Sequence, residues 1–184
     1  DDGRKILDFA SGIAVCNLGH NYPTVVEAAK KQMDKLVHSC HNLTYYEEYV
    51  KLAEKIVEIT GGDRMVYFAN SGAEANDGAL KLAKYVTDRP GIIAFKGSFH
   101  GRTFMAATVT ASNSKYRKHL HSSLCPNVYH LEYPDLLHTP YPYDGEHTPE
   151  QYFKQFDDLF EHLIAPDEVA AIFMEPVQGE GGYI

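Results

Sequence analysis

Apolar positions recur at helical spacing in four stretches of this 184-residue chain. Between residues 24 and 38 they are Val25, Val26, Ala29, Met33, Leu36 and Val37, which predicts one amphipathic helix. Tyr49, Leu52, Ile56 and Ile59 predict a second over Tyr45 to Ile59, stopped by Gly61-Gly62. A third, rich in Ala, Leu and Lys, runs from Ala73 to Val86. Pro149 opens a fourth, reaching about Leu163, with Phe153, Phe156, Leu159, Phe160 and Leu163 on one side. Short apolar runs read as strands at Met65 to Ala69, Ile92 to Phe95 and Val169 to Met174. Residues 6 to 15 look like a strand broken at Gly12. Residues 112 to 149 hold five of the nine prolines and read as a long ordered loop.

Strand, helix and strand alternating through the centre imply parallel strands joined by right-handed crossovers, an α/β architecture. No internal repeat and no linker divides the chain. It begins in mid-pattern and stops at Ile184, just past a core strand, so the expectation is a fragment of a longer polypeptide with an open sheet edge.

With 44% hydrophobic residues, the composition supports a packed core and excludes disorder. The net charge is −8 and the basic residues are scattered, so no footprint for nucleic-acid phosphates exists. No apolar run approaches the roughly 20 residues of a membrane helix, and the N-terminus does not read as a targeting peptide. The expectation is a cytoplasmic protein without membrane or nucleic-acid partners. Three separated cysteines, Cys16, Cys40 and Cys125, argue against a disulfide framework. His38-Ser39-Cys40-His41 and His119-Leu120-His121 lack the paired spacing of structural zinc, so no metal is expected. Tyr141-Pro142-Tyr143 reads as an extended loop at a subunit contact.

Three loops carry chemistry. Asn70-Ser71-Gly72-Ala73-Glu74-Ala75-Asn76 passes through small residues into a helix, whose free N–H groups and dipole favour an anion. A plain helix cap built on Ser71 explains the same residues. Lys96-Gly97-Ser98-Phe99-His100-Gly101-Arg102-Thr103 follows a strand and offers an aromatic face, an imidazole and a guanidinium. A core Phe, a structural His and a surface Arg are the bland alternative. Glu175-Pro176-Val177-Gln178-Gly179-Glu180-Gly181-Gly182 follows another strand, with two carboxylates suited to acid/base work, to metal ligation or to cationic partners, or simply to a solvated turn. In an open parallel sheet such loops gather at the carboxyl ends of the strands.

Taken in order with Leu7-Asp8-Phe9-Ala10-Ser11-Gly12-Ile13-Ala14-Val15 and Gly19-His20, these loops resemble the class III (omega) aminotransferases, and most closely their 4-aminobutyrate aminotransferase branch. The resemblance implies a pyridoxal-phosphate enzyme of fold type I and a homodimer. It also implies transfer of an amino group from an omega-amino acid donor to a 2-oxo acid such as 2-oxoglutarate. Residues 1–43 would contribute to the small domain, and 44–184 would be the first half of the large, mostly parallel cofactor domain. By resemblance, Ser71, Gly72 and Ala73 bind the cofactor phosphate, Phe99 stacks on the pyridine ring and His100 helps position it. Arg102 takes the distal substrate carboxylate, Glu180 pairs with an arginine from the remainder of the protein, Ile13 lines the substrate pocket, and Glu175 supports from behind. The Schiff-base lysine and the aspartate on the pyridine nitrogen fall downstream in the family, so this stretch alone is expected not to transaminate. Acetylornithine or ornithine aminotransferases and amino-acid racemases are rivals within the family. A non-catalytic phosphate- or nucleotide-binding module, or a remnant with no ligand, are the rivals outside it.

Overall fold

The computed structural model describes residues 2–141 and 149–184. Of the Tyr141-Pro142-Tyr143 stretch, Pro142 and Tyr143 lie outside the described residues. The chain divides into two units, Asp1–Val66 and Tyr67–Ile184.

The first unit holds a single turn, α1 (Ser11–Ala14), and two helices, α2 (Pro23–Lys35) and α3 (Glu47–Ile59). Both long helices fall where the periodicity puts them, and neither buries a residue. Pro23 starts α2, where its missing N–H costs nothing. The strand expected over residues 6–15 does not form. Ser11, Gly12, Ile13 and Ala14 instead take positive φ of 46°, 64°, 64° and 60°. The Asp8 carboxylate accepts the N–H groups of Ala10 and Ser11 at 2.8 and 2.9 Å, and His20 Nε2 sits 2.7 Å from its other oxygen. A short polar side chain has outcompeted a ladder by offering the backbone local partners.

The second unit is built on a three-stranded parallel sheet, ordered β2-β1-β3. Its elements are α4 (Gly72–Thr87), β1 (Gly91–Phe95), α5 (Phe104–Val109), β2 (Val128–Leu131), α6 (Pro149–His162) and β3 (Val169–Ile172). The central strand β1, Gly-Ile-Ile-Ala-Phe, is buried at every position, as a parallel strand covered on both faces must be. Leu80 of α4 packs with Ile92, Ala94 and Val109 on one face. Ile93, Phe95 and Leu131 meet Leu159 of α6 and Ile164 on the other. Among the described residues, no helix is long and apolar enough to cross a membrane.

Two strand expectations need correcting. Met65 to Ala69 forms no strand. Met65 is 99% and Tyr67 72% exposed, and a strand persists only where a neighbour completes its hydrogen bonds. Conversely, residues 112–149 are not all loop, because Val128–Leu131 pairs in register with β1 from Ile92↔Val128 to Phe95↔Leu131. Val128, Tyr129 and Leu131 have the branched and aromatic side chains that suit a pleat, and the surrounding prolines masked them.

Leu80 is 1% exposed at the centre of the α4 face. Leu80→Ala is expected to cost about 2–5 kcal/mol of unfolding free energy, read from urea denaturation.

Candidate functional site

The three chemistry-bearing loops converge at one end of the sheet. β1 runs out through Lys96 into the Phe99–Thr103 segment, and β3 through Phe173 into Glu175 and the glycine-rich turn. Glu175 ties the two together: Oε1 accepts the Phe99 N–H at 2.7 Å and Oε2 the Gly179 N–H at 3.0 Å. Gln178, 1% exposed, adds a second tie by donating from Nε2 to the Lys96 carbonyl at 2.8 Å and the Ser98 hydroxyl at 2.9 Å. A Cβ at Gly181 would collide with this Gln178 side chain, which is why a glycine follows so closely.

The α4 N-terminus closes the other wall. Ser71 caps the helix, its Oγ accepting the Glu74 N–H at 3.2 Å, while Glu74 reaches back to the Asn70 N–H at 2.8 Å. The cap uses only an acceptor lone pair of Ser71, leaving its hydroxyl proton for an incoming anion. Asn76 Nδ2 donates to the His100 carbonyl at 2.7 Å, and Asp77 accepts from Thr103 Oγ1 at 2.8 Å and the Ala106 N–H at 2.7 Å. Gly101, at φ 127°, lets the two walls meet. A Cβ there would sit 2.5 Å from Ala73 Cβ and 2.9 Å from its Cα.

The result is an open cleft of about 610 Å³, lined by Ser71, Gly72, Ala73 and Asn76 on one side and Phe99 to Thr103 on the other. Phe99 is half-buried and edge-on to Tyr116, with ring centroids 5.1 Å apart. His100 is buried, edge-on to Phe173 at 4.8 Å, and its Nε2 has no partner among the described residues. Burial pushes the His100 imidazole below its ordinary 6.5, with the Glu175 charge pulling weakly back. Arg102 is exposed at the rim. Glu180 is held by Ser112 Oγ and Tyr116 Oη, both donating at 2.7 Å. Partial burial raises its pKa, but those two hydrogen bonds and the charges of Lys115 and Arg102 outweigh it and hold the carboxyl below its ordinary value.

Of the residues singled out from sequence, Ser71, Gly72, Ala73, Phe99, His100 and Arg102 line this cleft, while Glu175 and Glu180 sit in the loops that frame it. Ile13 belongs to the first unit, 88% exposed in the α1 turn. The sequence motifs contain Asn76 and Gln178 without giving either a role, and Asp77, Ser112 and Tyr116 lie outside them. Asn76 had a signal, standing one helical turn past Gly72 on the face that begins at the cap. A Gln inside a glycine-rich turn was another, because glycines clear space for something bulky. Ser112 and Tyr116 had none, since their partner lies more than 60 residues away.

The model of the family described as aminotransferase class-III matches residues 1–184. A probable 4-aminobutyrate aminotransferase of Bacillus subtilis (strain 168) is 40% identical over 185 residues, covering 100% of this chain and 42% of that protein. An alanine/serine racemase of Pyrococcus horikoshii is 37% identical, over 100% of this chain and 40% of its own length. Among solved structures, a taurine:2-oxoglutarate aminotransferase from Bifidobacterium kashiwanohense, in complex with PLP and glutamate, superposes with a TM-score of 0.86 at 29% identity. That match covers 96% of this chain and 40% of the other. The chain therefore spans about 40% of the length of the relatives it matches.

Two outcomes follow from the geometry. Gly101→Ala, strained in φ and wedged against Ala73, is expected to part the two walls and cost about 1–3 kcal/mol of unfolding free energy, read from urea denaturation. As pH falls below about 6.5, the unfolded chain takes up the His100 proton before the folded one does. Stability contributed by neutral His100 is thus complete above 6.5 and lost below it. His100→Leu should flatten that decline between pH 7.5 and 5.5 in urea titrations, leaving the share due to His130, whose pKa burial and Arg117 also lower.

Proposed function

Since the chain belongs to the class-III aminotransferases, we propose that the protein of which it forms part moves an amino group from an omega-amino acid of the 4-aminobutyrate kind to a 2-oxo acid such as 2-oxoglutarate, with pyridoxal 5'-phosphate as cofactor. The observation that carries this is one cleft in which a helix N-terminus, an aromatic wall and an exposed guanidinium face the same space. Residues 1–43 contribute to the small domain and 44–184 form the first part of the cofactor domain of a cytoplasmic homodimer.

The residues present suit the cofactor. The Ser71 hydroxyl and the main-chain N–H groups of Gly72 and Ala73 take its phosphate at the positive end of the α4 dipole. Phe99 supplies a flat apolar face for its ring. The Nε2 of His100, without a partner among the described residues, keeps one hydrogen-bonding position open beside it. When bound, pyridoxal phosphate supplies the electron sink that makes amino-group transfer feasible.

The chain's own residues then select and hold the substrate. Arg102 grips the distal carboxylate of donor and acceptor alike with a forked pair of N–H groups. Ile13 contributes apolar lining to the substrate pocket. Glu180 balances the charge of an arginine on the α-carboxylate side, and Glu175 keeps Phe99 in place through its N–H.

A second reading, racemisation, draws support from the similarity to an alanine/serine racemase. The two separate cleanly: a racemase turns L-alanine into D-alanine with no 2-oxo acid present, whereas a transaminase stops after one turnover. Arg102→Ala in the full-length enzyme is expected to raise KM for 4-aminobutyrate and 2-oxoglutarate roughly 10- to 100-fold with a smaller change in kcat. An unchanged KM removes Arg102 from carboxylate binding.

A further inference from the structure

Arg102 is exposed at the rim of the cleft, and a long side chain rich in rotamers aims only as well as its backbone is held. Helix α4 holds that backbone on both flanks. On the N-terminal side, Asn76 Nδ2 donates to the His100 carbonyl at 2.7 Å, and the His100 N–H goes to the buried Thr110 hydroxyl at 2.9 Å. On the C-terminal side, Asp77 Oδ1 accepts both the Thr103 hydroxyl at 2.8 Å and the Ala106 N–H at 2.7 Å. Thr103 is the N-cap of α5, yet its side chain makes no hydrogen bond to its own helix. A capping side chain ordinarily accepts the N–H two or three positions on. Here that N–H, of Ala106, goes to a carboxylate from another helix, and the capping hydroxyl donates to the same oxygen. One atom of Asp77 thus fixes both the start of α5 and the residue that follows Arg102.

We propose that Asp77 is a positioning residue for Arg102: its carboxylate latches Thr103 and the first turn of α5 to α4, and so sets where the guanidinium meets the distal carboxylate of a dicarboxylic 2-oxo acid. The proposal deepens the reading of Arg102 given above and rests on it. Consecutive residues of one helix grip the segment at 100 and at 103, with Arg102 between the two grips. Gly101, at φ 127°, brings no stiffness of its own to that span, so release at Thr103 frees Arg102 to swing about its glycine neighbour. Asp77 and Thr103 are half-buried, which shields their hydrogen bond from competing water.

The test uses the full-length enzyme loaded with cofactor and compares two acceptors: 2-oxoglutarate, and 2-oxopentanoate, which has a methyl group in place of the distal carboxylate. Asp77→Ala is expected to lower the ratio of their kcat/KM values about threefold to tenfold through a higher KM for 2-oxoglutarate, with kcat and the 2-oxopentanoate KM moving less than about twofold. Asp77→Asn keeps an oxygen acceptor for Thr103 and Ala106 and is expected to hold the ratio within about twofold of wild type. An unchanged ratio in Asp77→Ala overturns the latch. An equal loss with both acceptors, which is what simple damage to the fold produces, overturns it too, and so does Asp77→Asn behaving like Asp77→Ala. If Asp77→Ala is too unstable to assay, Thr103→Val, which removes only the hydroxyl, is read in its place: a fall in the ratio of about twofold or more supports the latch, and an unchanged ratio overturns it. Arg102→Ala run in parallel keeps the two readings apart. If it collapses the ratio while Asp77→Ala does not, only the latch fails. If it leaves the ratio unchanged, the carboxylate role of Arg102 fails first.

Discussion

A single carboxylate sets the geometry of the cleft. Glu175 spends one oxygen on the Phe99 N–H and the other on the Gly179 N–H, so two loops leaving different strands are pinned at one point. Each is a charge-assisted hydrogen bond, about twice the strength of a neutral one. The parallel register behind it makes the pin possible. β1 and β3 are hydrogen-bonded neighbours running the same way, so both loops emerge at the same end of the sheet. Tyr133 backs the arrangement by donating to the Glu175 carbonyl at 3.0 Å. The aromatic wall, the imidazole and the rim arginine all follow from that pinned segment within four residues.

The helix N-terminus across the cleft shows how one residue can serve structure and chemistry together. Ser71 is the cap that the bland reading of the sequence predicts, and the same oxygen still has a proton to give. The phosphate seat proposed there would therefore be a by-product of a well-made helix start, not an addition to it. His100 is different in kind. A buried ring nitrogen without a partner among the described residues is a cost, and such a cost usually marks a place where something else completes the bonding.

What could be read from sequence followed the range of the interactions responsible. The long helices and the central strand were legible because their apolar spacing is local, and their ends came within a few residues. The loops were legible because each announces itself through glycine and small residues beside a strand. Whether a run finds a distant strand to pair with was legible only in part: Val169 to Met174 was, its first four residues pairing with β1, but two other runs were not. Met65 to Ala69 is apolar enough to be a strand and joins no sheet among the described residues, while Val128 to Leu131 pairs with β1 across more than 30 positions. The α1 turn failed for the opposite reason: Asp8 captured the backbone locally, and apolar alternation carries no trace of that. At the site, the polar residues that brace the cleft went unseen where their partners lie far along the chain, as with Gln178 to Ser98.

The contact of Gly101 with Ala73 is closer than any other residue would allow. Two walls that touch backbone to side chain cannot drift apart gradually by accumulating bulk at the seam, because the first methyl group is already too much. Variation in this cleft is therefore confined to its periphery, around positions such as 102, while the seam between its walls stays unaltered.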